Sequence, residues 1–239
     1  MQLAASALVH TRQFSTADLA IQRALDDASD RMEAASTINT QCWLLLRQGR
    51  LDTALDLAVK WADETEPRMS RATPAELSTW GLLLLRVAAA AVRNGQGGQA
   101  QKALRLAKGA AATLGTEYAP ENENVRTFGP TTVRLKTAEH ASVTDQPDAV
   151  LRLADRVPMF AIRPSTSNRN RHKLDVAYAH VRLRQWGPAM DKLTALQRTA
   201  PEWLPQQSYA RTVLGRIVEE RRTLTPEMRE MAAAIHLQI

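Results

Sequence analysis

The sequence predicts an all-α fold, in the form of a right-handed α-solenoid of about five helix pairs with closing helices at its C-terminal end. Alanine, leucine and arginine are abundant and aromatic residues account for only 5% of the chain, a composition that favours helices. Runs of β-branched residues with a period of two are absent, so no sheet is expected. A helical spacing that recurs along the chain indicates stacked helix pairs.

Five segments carry this spacing: a bulky or turn residue, alanine three positions later, an apolar position four beyond that, and usually a small or apolar residue three further on. Steps of three and four place these residues on one helical face, where alanine lets a neighbouring helix approach closely. Successive segments begin 37, 46, 49 and 40 residues apart, so the loops differ in length. The segments are Phe14, Ala17, Ile21, Ala24; Leu51, Ala54, Ala58, Trp61; Gly97, Ala100, Leu104, Ala107; Gln146, Ala149, Leu153, Arg156; and Trp186, Ala189, Leu193, Leu196.

Local signals predict where these helices begin and end. Ser15 is expected to cap the helix that contains Ala17, and Thr73 with Glu76 forms a capping box. Residues 47–50 and 93–96 are predicted turns, with glycine at a left-handed helix end. Thr225 with Pro226 is expected to open the last helix.

Irregular and terminal segments complete the predicted single domain, residues 1–239. Residues 119–130 and 163–171, rich in proline, asparagine or serine, predict long loops. Residues 205–222 and 225–237 predict the closing helices, giving about thirteen helices in all.

Composition excludes several classes of protein. Cys42 is the only cysteine, so no disulfide framework and no cysteine-based zinc site is expected. The first 25 residues do not resemble a signal peptide, and the longest apolar stretch, Leu82 to Val92, is too short for a membrane span and contains Arg86. We therefore expect a cytoplasmic protein without a membrane segment.

No motif for catalysis, metal or cofactor is found. The five histidines lack metal-ligand spacing, and no nucleophile elbow is present. Residues 95–100 (GQGGQA) match a relaxed dinucleotide fingerprint, but the preceding segment predicts a helix where that motif needs a strand. We expect no cofactor, no metal site and no catalytic residue.

The net charge of +6 is unevenly distributed. Residues 1–66 carry 6 basic and 10 acidic side chains, whereas residues 163–222 carry 12 and 5. The basic end suits an acidic partner or nucleic acid. The alternative is a solvated arginine-rich surface, which the lack of interleaved aromatic residues favours.

Several short sequence segments resemble segments of a known protein family. Residues 13–17 (QFSTA) and 49–55 (GRLDTAL) resemble the turn and second-helix start of tetratricopeptide repeats, and Pro201 lies where such repeats often end. Residues 128–133 (FGPTTV), and the stretch 171–202 that begins RHKLDVA, are similar to phrases of high-GC bacterial transcription regulators. Those regulators carry an amino-terminal helix-turn-helix of the xenobiotic-response-element type and a carboxy-terminal tetratricopeptide region.

The resemblance extends to about residue 222 and corresponds to that carboxy-terminal region. It implies a module that senses a peptide or small-molecule effector and forms a homodimer. No helix-turn-helix is found in this chain, so DNA contact is expected only through such a domain elsewhere.

In stacked helix pairs the first helix of each pair, here called a first helix, lines the binding surface. The predicted fold therefore has an apolar groove with a few polar anchors. Arg47, Arg93 and Arg182 fall in the last turns of first helices, where they either surround an anionic ligand or complement the helix dipole. In the alternative interpretation half of the predicted groove residues pack between neighbouring helices. The predicted groove residues are Asn39, Trp43, Leu82, Leu85, Ala89, Thr131, Arg134, His172 and Tyr178.

Three functions are consistent with this pattern. The favoured one is the signal-sensing and dimerisation module of a transcription regulator. A protein–protein scaffold without a small ligand is the second. An enzyme with an unconventional helical site is the third, and the sequence offers no chemistry for it.

Overall fold

The computed structural model describes residues 2–119, 127–157, 166–221 and 223–239. These residues form α-helices and connecting loops, with an isolated antiparallel bridge between Tyr118 and Phe128. The all-α class is therefore confirmed. The part of the chain that is described contains twelve α-helices, against the thirteen or so that we expected.

The chain divides into two compact units. This division does not test the prediction of a single domain, which stays a prediction. The first unit, up to residue 140, holds α1 (Gln2–His10), α2 (Phe14–Asp26), α3 (Arg31–Gln48), α4 (Leu51–Glu64), α5 (Pro74–Arg93), α6 (Gly97–Leu114) and most of α7 (Pro130–Val143). The second, residues 141–157 and 166–239, holds the end of α7, α8 (Pro147–Ala154), α9 (Thr166–Arg182), α10 (Trp186–Thr199), a 3₁₀ turn (Leu204–Gln206), α11 (Ser208–Glu219) and α12 (Pro226–Ala234).

Neighbouring helices of each unit pack in chain order. In the first unit α1 packs on α2, α3 on α4 and α5 on α6, while α1 also contacts α3 and α3 contacts α5. In the second unit α9 packs on α10 and also contacts α11. The first helix of one pair thus touches the first helix of the next.

One backbone turn occurs five times between first and second helices. In each turn a residue with positive φ, between 56° and 77°, ends the first helix. The next residue has ψ between 61° and 73°, and its N–H donates to the carbonyl five positions earlier at 2.8–3.0 Å. This pattern is a Schellman motif that leads directly into the second helix. The residues with positive φ are Arg12, Gly49, Gly95, Asp145 and Arg184.

The repeated turn fixes the start of each second helix. Four of the five predicted segments begin at the first residue of α2, α4, α6 or α10, as expected. The fourth predicted segment begins one residue before its helix. Gln146 is the residue before α8, the fully buried Val150 takes the position of the repeated alanine, and Ala149 is only half-buried. Pro147 explains the shift, because proline favours the first position of a helix.

Most local start and stop signals agree with the structure. Thr73 and Glu76 form the capping box of α5, and the Thr225 side chain caps α12. The prediction for Ser15 is wrong: α2 starts after Gln13 without a side-chain cap, because the Schellman turn supplies the entry instead.

The predicted loop over residues 163–171 is partly wrong, since α9 already begins at Thr166. Its polar residues lie in the first turns of a long helix, where apolar periodicity is weak. Residues 163–165, and residues 120–126 of the other predicted loop, lie outside the described residues.

One aromatic side chain closes the core of the first unit. Phe128 is fully buried, and its ring ends against Gly81 of α5, so that a Cβ at Gly81 would overlap Cζ of Phe128. The backbone of Phe128 is held by two hydrogen bonds to Tyr118, at 2.9 and 3.0 Å. The ring therefore ties the loop before α7 to the middle of α5.

Helix α5 has the length and apolar composition of a membrane span, with a mean hydropathy of 1.4, and is alone in this among the described helices. Most of that segment, 61% of the 18-residue window, is buried within the protein. Such burial is typical of a core helix, so composition is weak evidence for a membrane here.

Replacing Arg184 by glycine is expected to raise the free energy of unfolding by about 0.5–1 kcal/mol. Arg184 is exposed and has φ 57°, a conformation that is strained for a residue with a Cβ and relaxed for glycine. Urea unfolding followed by circular dichroism measures the change. Arg184→Ala is the control, since it removes the same side chain but keeps the strain, and a gain of equal size for alanine would contradict the explanation.

Candidate functional site

The first unit brings four of the predicted residues onto adjacent first helices. Asn39 and Trp43 lie on successive turns of α3, and Leu82 and Ala89 lie on α5, which packs directly on α3. Trp43, Leu82 and Ala89 are half-buried, whereas Asn39 is only 1% exposed. The four residues thus lie on two neighbouring helices, three of them with part of the side chain open to solvent.

Arg86 of α5 holds the buried amide of Asn39. Its Nε donates to Oδ1 of Asn39 at 2.8 Å and to the Asn39 carbonyl oxygen at 3.2 Å. Because a guanidinium only donates, this contact orients the amide with Oδ1 toward Arg86. Nδ2 of Asn39 then has no acceptor among the residues that the structure describes.

Two arginines act on His10, the last residue of α1. Burial, and then the positive charges of Arg47 and Arg86, lower the pKa of His10 to about 4, so the imidazole is neutral at pH 7. The ring of His10 meets the Trp43 ring edge-on, with centroids 4.5 Å apart. The Cζ atom of Arg86 lies 6.0 Å from the centroid of the Trp43 ring. We call His10, Asn39, Trp43, Arg47 and Arg86 the arginine cluster.

Three other predicted residues of the first unit lie away from this cluster. Leu85 is 5% exposed and belongs to the core, because it lies on the buried face of α5. Thr131 is 6% exposed, and with Thr132 its backbone N–H donates to Glu117, whose carboxylate thereby caps the start of α7. Arg134 is exposed on α7.

Arg93, which we expected either to surround an anion or to cap its own helix, already has partners. Its Nη2 lies 2.6 Å from Oε1 of Glu139, and Nη1 donates to the Ala89 carbonyl at 2.9 Å. Lys136 pairs with the other oxygen of Glu139 at 2.8 Å. The cavity beside this network measures only about 10 Å³, which is room for a water molecule and for nothing larger.

In the second unit Tyr178 belongs to a cluster of aromatic and charged side chains. Its ring lies 5.6 Å from that of Tyr209, and Cζ of Arg171 stands 4.3 Å from the Tyr209 ring. Arg171 also pairs with the buried Asp175 at 3.3 Å, and the Tyr209 hydroxyl lies 3.3 Å from that of Ser142. Burial, and then the charge of Asp175, raise the pKa of Tyr209. This cluster ties α11 to α9 and to the end of α7.

His172 lies inside the second unit and not on an open surface. It is 3% exposed, and its Nδ1 has no hydrogen-bond partner in the described part of the chain. Burial, and then the nearby charge of Lys192, lower the pKa of His172 to about 4. A neutral imidazole packed in this way acts as a core side chain.

A separate surface pocket of about 370 Å³ lies where α4 ends and α5 begins. Arg31 and Glu64 at its rim form an ion pair of 2.9 Å with both side chains well exposed. Exposed pairs of this kind contribute little energy. The remaining lining residues are of both charge signs, so the pocket favours no particular ligand.

The described residues offer little for catalysis. No group of three or more histidine, cysteine, aspartate or glutamate side chains that could hold a metal ion occurs in the described ranges. Cys42 is fully buried, and burial raises the pKa of its thiol to about 12, which keeps it protonated and unreactive.

Sequence reasoning missed two members of the arginine cluster, Arg86 and His10. A signal for Arg86 exists, since it is the one charged residue within the apolar stretch from Leu82 to Val92. A lone cation in such a stretch needs a partner when its helix is packed. His10 has no comparable signal, because only the approach of α1 to α3 places it beside Trp43.

A comparison with protein-family models gives no match, and a comparison with curated proteins gives no significant match either.

Proposed function

We propose that the chain is a binding module of tetratricopeptide-like helix pairs, stacked as an α-solenoid, that senses a peptide or small molecule. The sensing surface is the row of first helices that carries Trp43, Leu82 and Ala89. As the resemblance implies, the module serves a helix-turn-helix transcription regulator and forms a homodimer. From the composition we expect it in the cytoplasm. Contact with DNA belongs to a domain outside the residues of this chain.

The observation that supports this proposal most is the backbone turn that recurs five times with the same hydrogen bond. Each turn reverses the chain after a first helix and leads into a second one. Direct packing of α1 on α3, and of α3 on α5, leaves the first helices side by side. Arrays of this kind offer extended surfaces for binding.

Ligand binding transmits a signal if it favours one arrangement of the helix pairs over another. Only differential affinity for the two arrangements shifts the balance between them. Contacts between α3 and α5, such as that of Arg86 with Asn39 and Trp43, would change with such a rearrangement.

Replacing Trp43 of α3 and Arg134 of α7, two exposed or half-buried side chains in the row of first helices, together by alanine is expected to abolish effector binding while the chain remains folded. The purified chain is screened by thermal shift against small organic acids, amines, neutral compounds and short peptides. A compound that stabilises the unaltered chain is then titrated by calorimetry into the double variant. Its matched control replaces Leu19 and Arg105, both exposed on second helices, by alanine.

Binding that survives in the control and is lost in the double variant supports the sensing surface. Equal binding in both variants places the effector elsewhere and contradicts the proposal. If no compound binds at all, the scaffold function replaces it, since a scaffold needs a protein partner and no small ligand. Sedimentation equilibrium tests the homodimer, and a monomer at all concentrations contradicts that part.

A further inference from the structure

We propose that the arginine cluster binds a carboxylate group of the effector. This inference rests on the proposed sensing function and names the chemistry that the surface recognises. Asn39 supplies a hydrogen bond from Nδ2, Arg47 and Arg86 supply positive charge, and Trp43 with Leu82 contacts the apolar part of the ligand.

The placement of the cluster supports a binding role. Asn39, Trp43 and Arg47 are spaced by four residues and lie on one face of α3. Arg86 reaches this face from α5, and His10 reaches it from the end of α1. Three first helices of the first unit thus contribute to one small region of buried and half-buried side chains.

The amide of Asn39 supplies the sharpest indication. Arg86 binds Oδ1 and so leaves Nδ2 as a donor without an acceptor, although the residue is 99% removed from solvent. Buried donors without acceptors are rare, because each loses its hydrogen bonds to water. A ligand oxygen at this position would satisfy the group.

Electrostatics select an anion as the ligand. Two guanidinium groups stand close enough to His10 to lower its pKa, and both are half-buried. Like charges in a region of low dielectric repel each other more strongly than in water. The positive charge of both groups therefore favours a negatively charged ligand over a neutral one.

A carboxylate fits better than other anions. It is planar and offers several acceptor positions, which suits guanidinium and amide donors. Leu82, one turn before Arg86, and the exposed part of Trp43 extend the region with apolar surface. The effector is therefore an amphipathic acid, either a small organic acid or a peptide with a free carboxyl end.

The test titrates probes of defined chemistry into the full chain. Phenylpropanoate stands for a small acid, and acetyl-Ala-Leu-Phe with a free carboxyl end stands for a peptide. Each is compared with its neutral amide. In each case the matching amide is expected to bind at least about tenfold more weakly. If only one acid binds, it shows whether the carboxylate comes from a small acid or from a peptide. If both bind, the result supports recognition of the carboxylate group itself.

Two variants and a control locate the binding. Arg86→Gln is expected to weaken binding of the acid probe by about tenfold or more. Arg105→Gln, the same change at an exposed position of α6, is expected to leave this affinity unchanged. Asn39→Asp places a carboxylate beside Arg86 within the protein itself. This nearly isosteric variant is expected to fold. It is expected not to bind the acid probe, because its own carboxylate takes the place of the ligand's.

His10 reports binding independently of the affinity. Its pKa of about 4 is expected to rise when a probe binds, since the carboxylate offsets the charges of Arg47 and Arg86. The His10 ring signals in NMR spectra, followed against pH, measure this change. An unchanged pKa at saturating probe contradicts the proposed position.

Other outcomes overturn the inference in distinguishable ways. Equal binding of acid and amide, or of sulfate in place of the acid, removes the carboxylate assignment. A neutral or basic effector found in the thermal-shift screen, bound equally well by Arg86→Gln, overturns this inference and leaves the sensing function standing. If neither these probes nor any compound of the screen binds, both proposals fail together.

Discussion

Replacing Gly81 by alanine is expected to lower the free energy of unfolding of the first unit by about 3 kcal/mol. The added methyl group would overlap the ring of Phe128, which is fully buried. Relief requires either a shift of α5 or a displacement of the loop that the Tyr118–Phe128 bridge holds. Both changes disturb a close-packed core.

Urea unfolding measures the loss, and Cys42 provides a probe within the same unit. Its thiol is buried, so its reaction with a thiol reagent reports opening of the first unit. Gly109→Ala is the matched control, because a Cβ at Gly109 of α6 meets nothing within 4 Å. That substitution is expected to stabilise the chain by about 0.5–1 kcal/mol, the usual gain from alanine inside a helix.

The double variant Gly81→Ala with Phe128→Leu tests the cause. Leucine shortens the side chain that meets the new methyl group, so the double variant is expected to be less destabilised than the sum of its two single variants. Additive losses would show that the ring and the methyl group do not compete for one space.

Acid is expected to destabilise the second unit through His172, with a loss of about 3 kcal/mol between pH 6.5 and pH 4. The pKa of this histidine falls from 6.5 to about 4 on folding, chiefly because of burial. Between these two pH values the unfolded chain binds the proton and the folded chain does not. The stabilisation is therefore complete above pH 6.5 and is lost progressively as the pH falls toward 4.

The free energy of unfolding of the unaltered chain and of His172→Gln, measured by urea unfolding at pH values from 7 to 4, isolates this contribution as a difference. Glutamine stays polar but does not titrate, so the variant is expected to lose less stability over this range. His236→Gln, the same change at an exposed position, is the control and is expected to lose as much unfolding free energy over this pH range as the unaltered chain. Equal slopes for His172→Gln and the unaltered chain would mean that His172 is hydrated in the folded state.

Residues 128–133 (FGPTTV), one of the segments on which the family resemblance rests, have a structural role in this chain. Phe128 packs on Gly81, Gly129 lies against the backbone of Thr116, and the amides of Thr131 and Thr132 bind Glu117. A Cβ at Gly129 would come within 2.5 Å of the Thr116 carbonyl oxygen. Packing of this kind restricts sequence without any ligand, so the segment points to a fold more directly than to a function.

Helix positions were predictable because their signals act within a few residues. The capping box of Thr73 and Glu76, and the glycines at positions 49 and 95, satisfy backbone groups one turn away. Where the prediction was wrong, a competing local signal decided the outcome. Pro147 set the start of α8 against the alanine spacing, and a Schellman turn replaced Ser15 as the entry to α2.

The sequence by itself determined the helical class, the pairing of successive helices and most of their ends, since hydrogen bonds and side-chain caps between near neighbours suffice for these. Only the tertiary structure decided which polar groups meet. Arg86 and Asn39 are 47 residues apart and bind each other because α3 and α5 pack together. Burial then lowers the pKa of His10 and His172, an effect of desolvation that depends on every element around them and not on their neighbours in the chain.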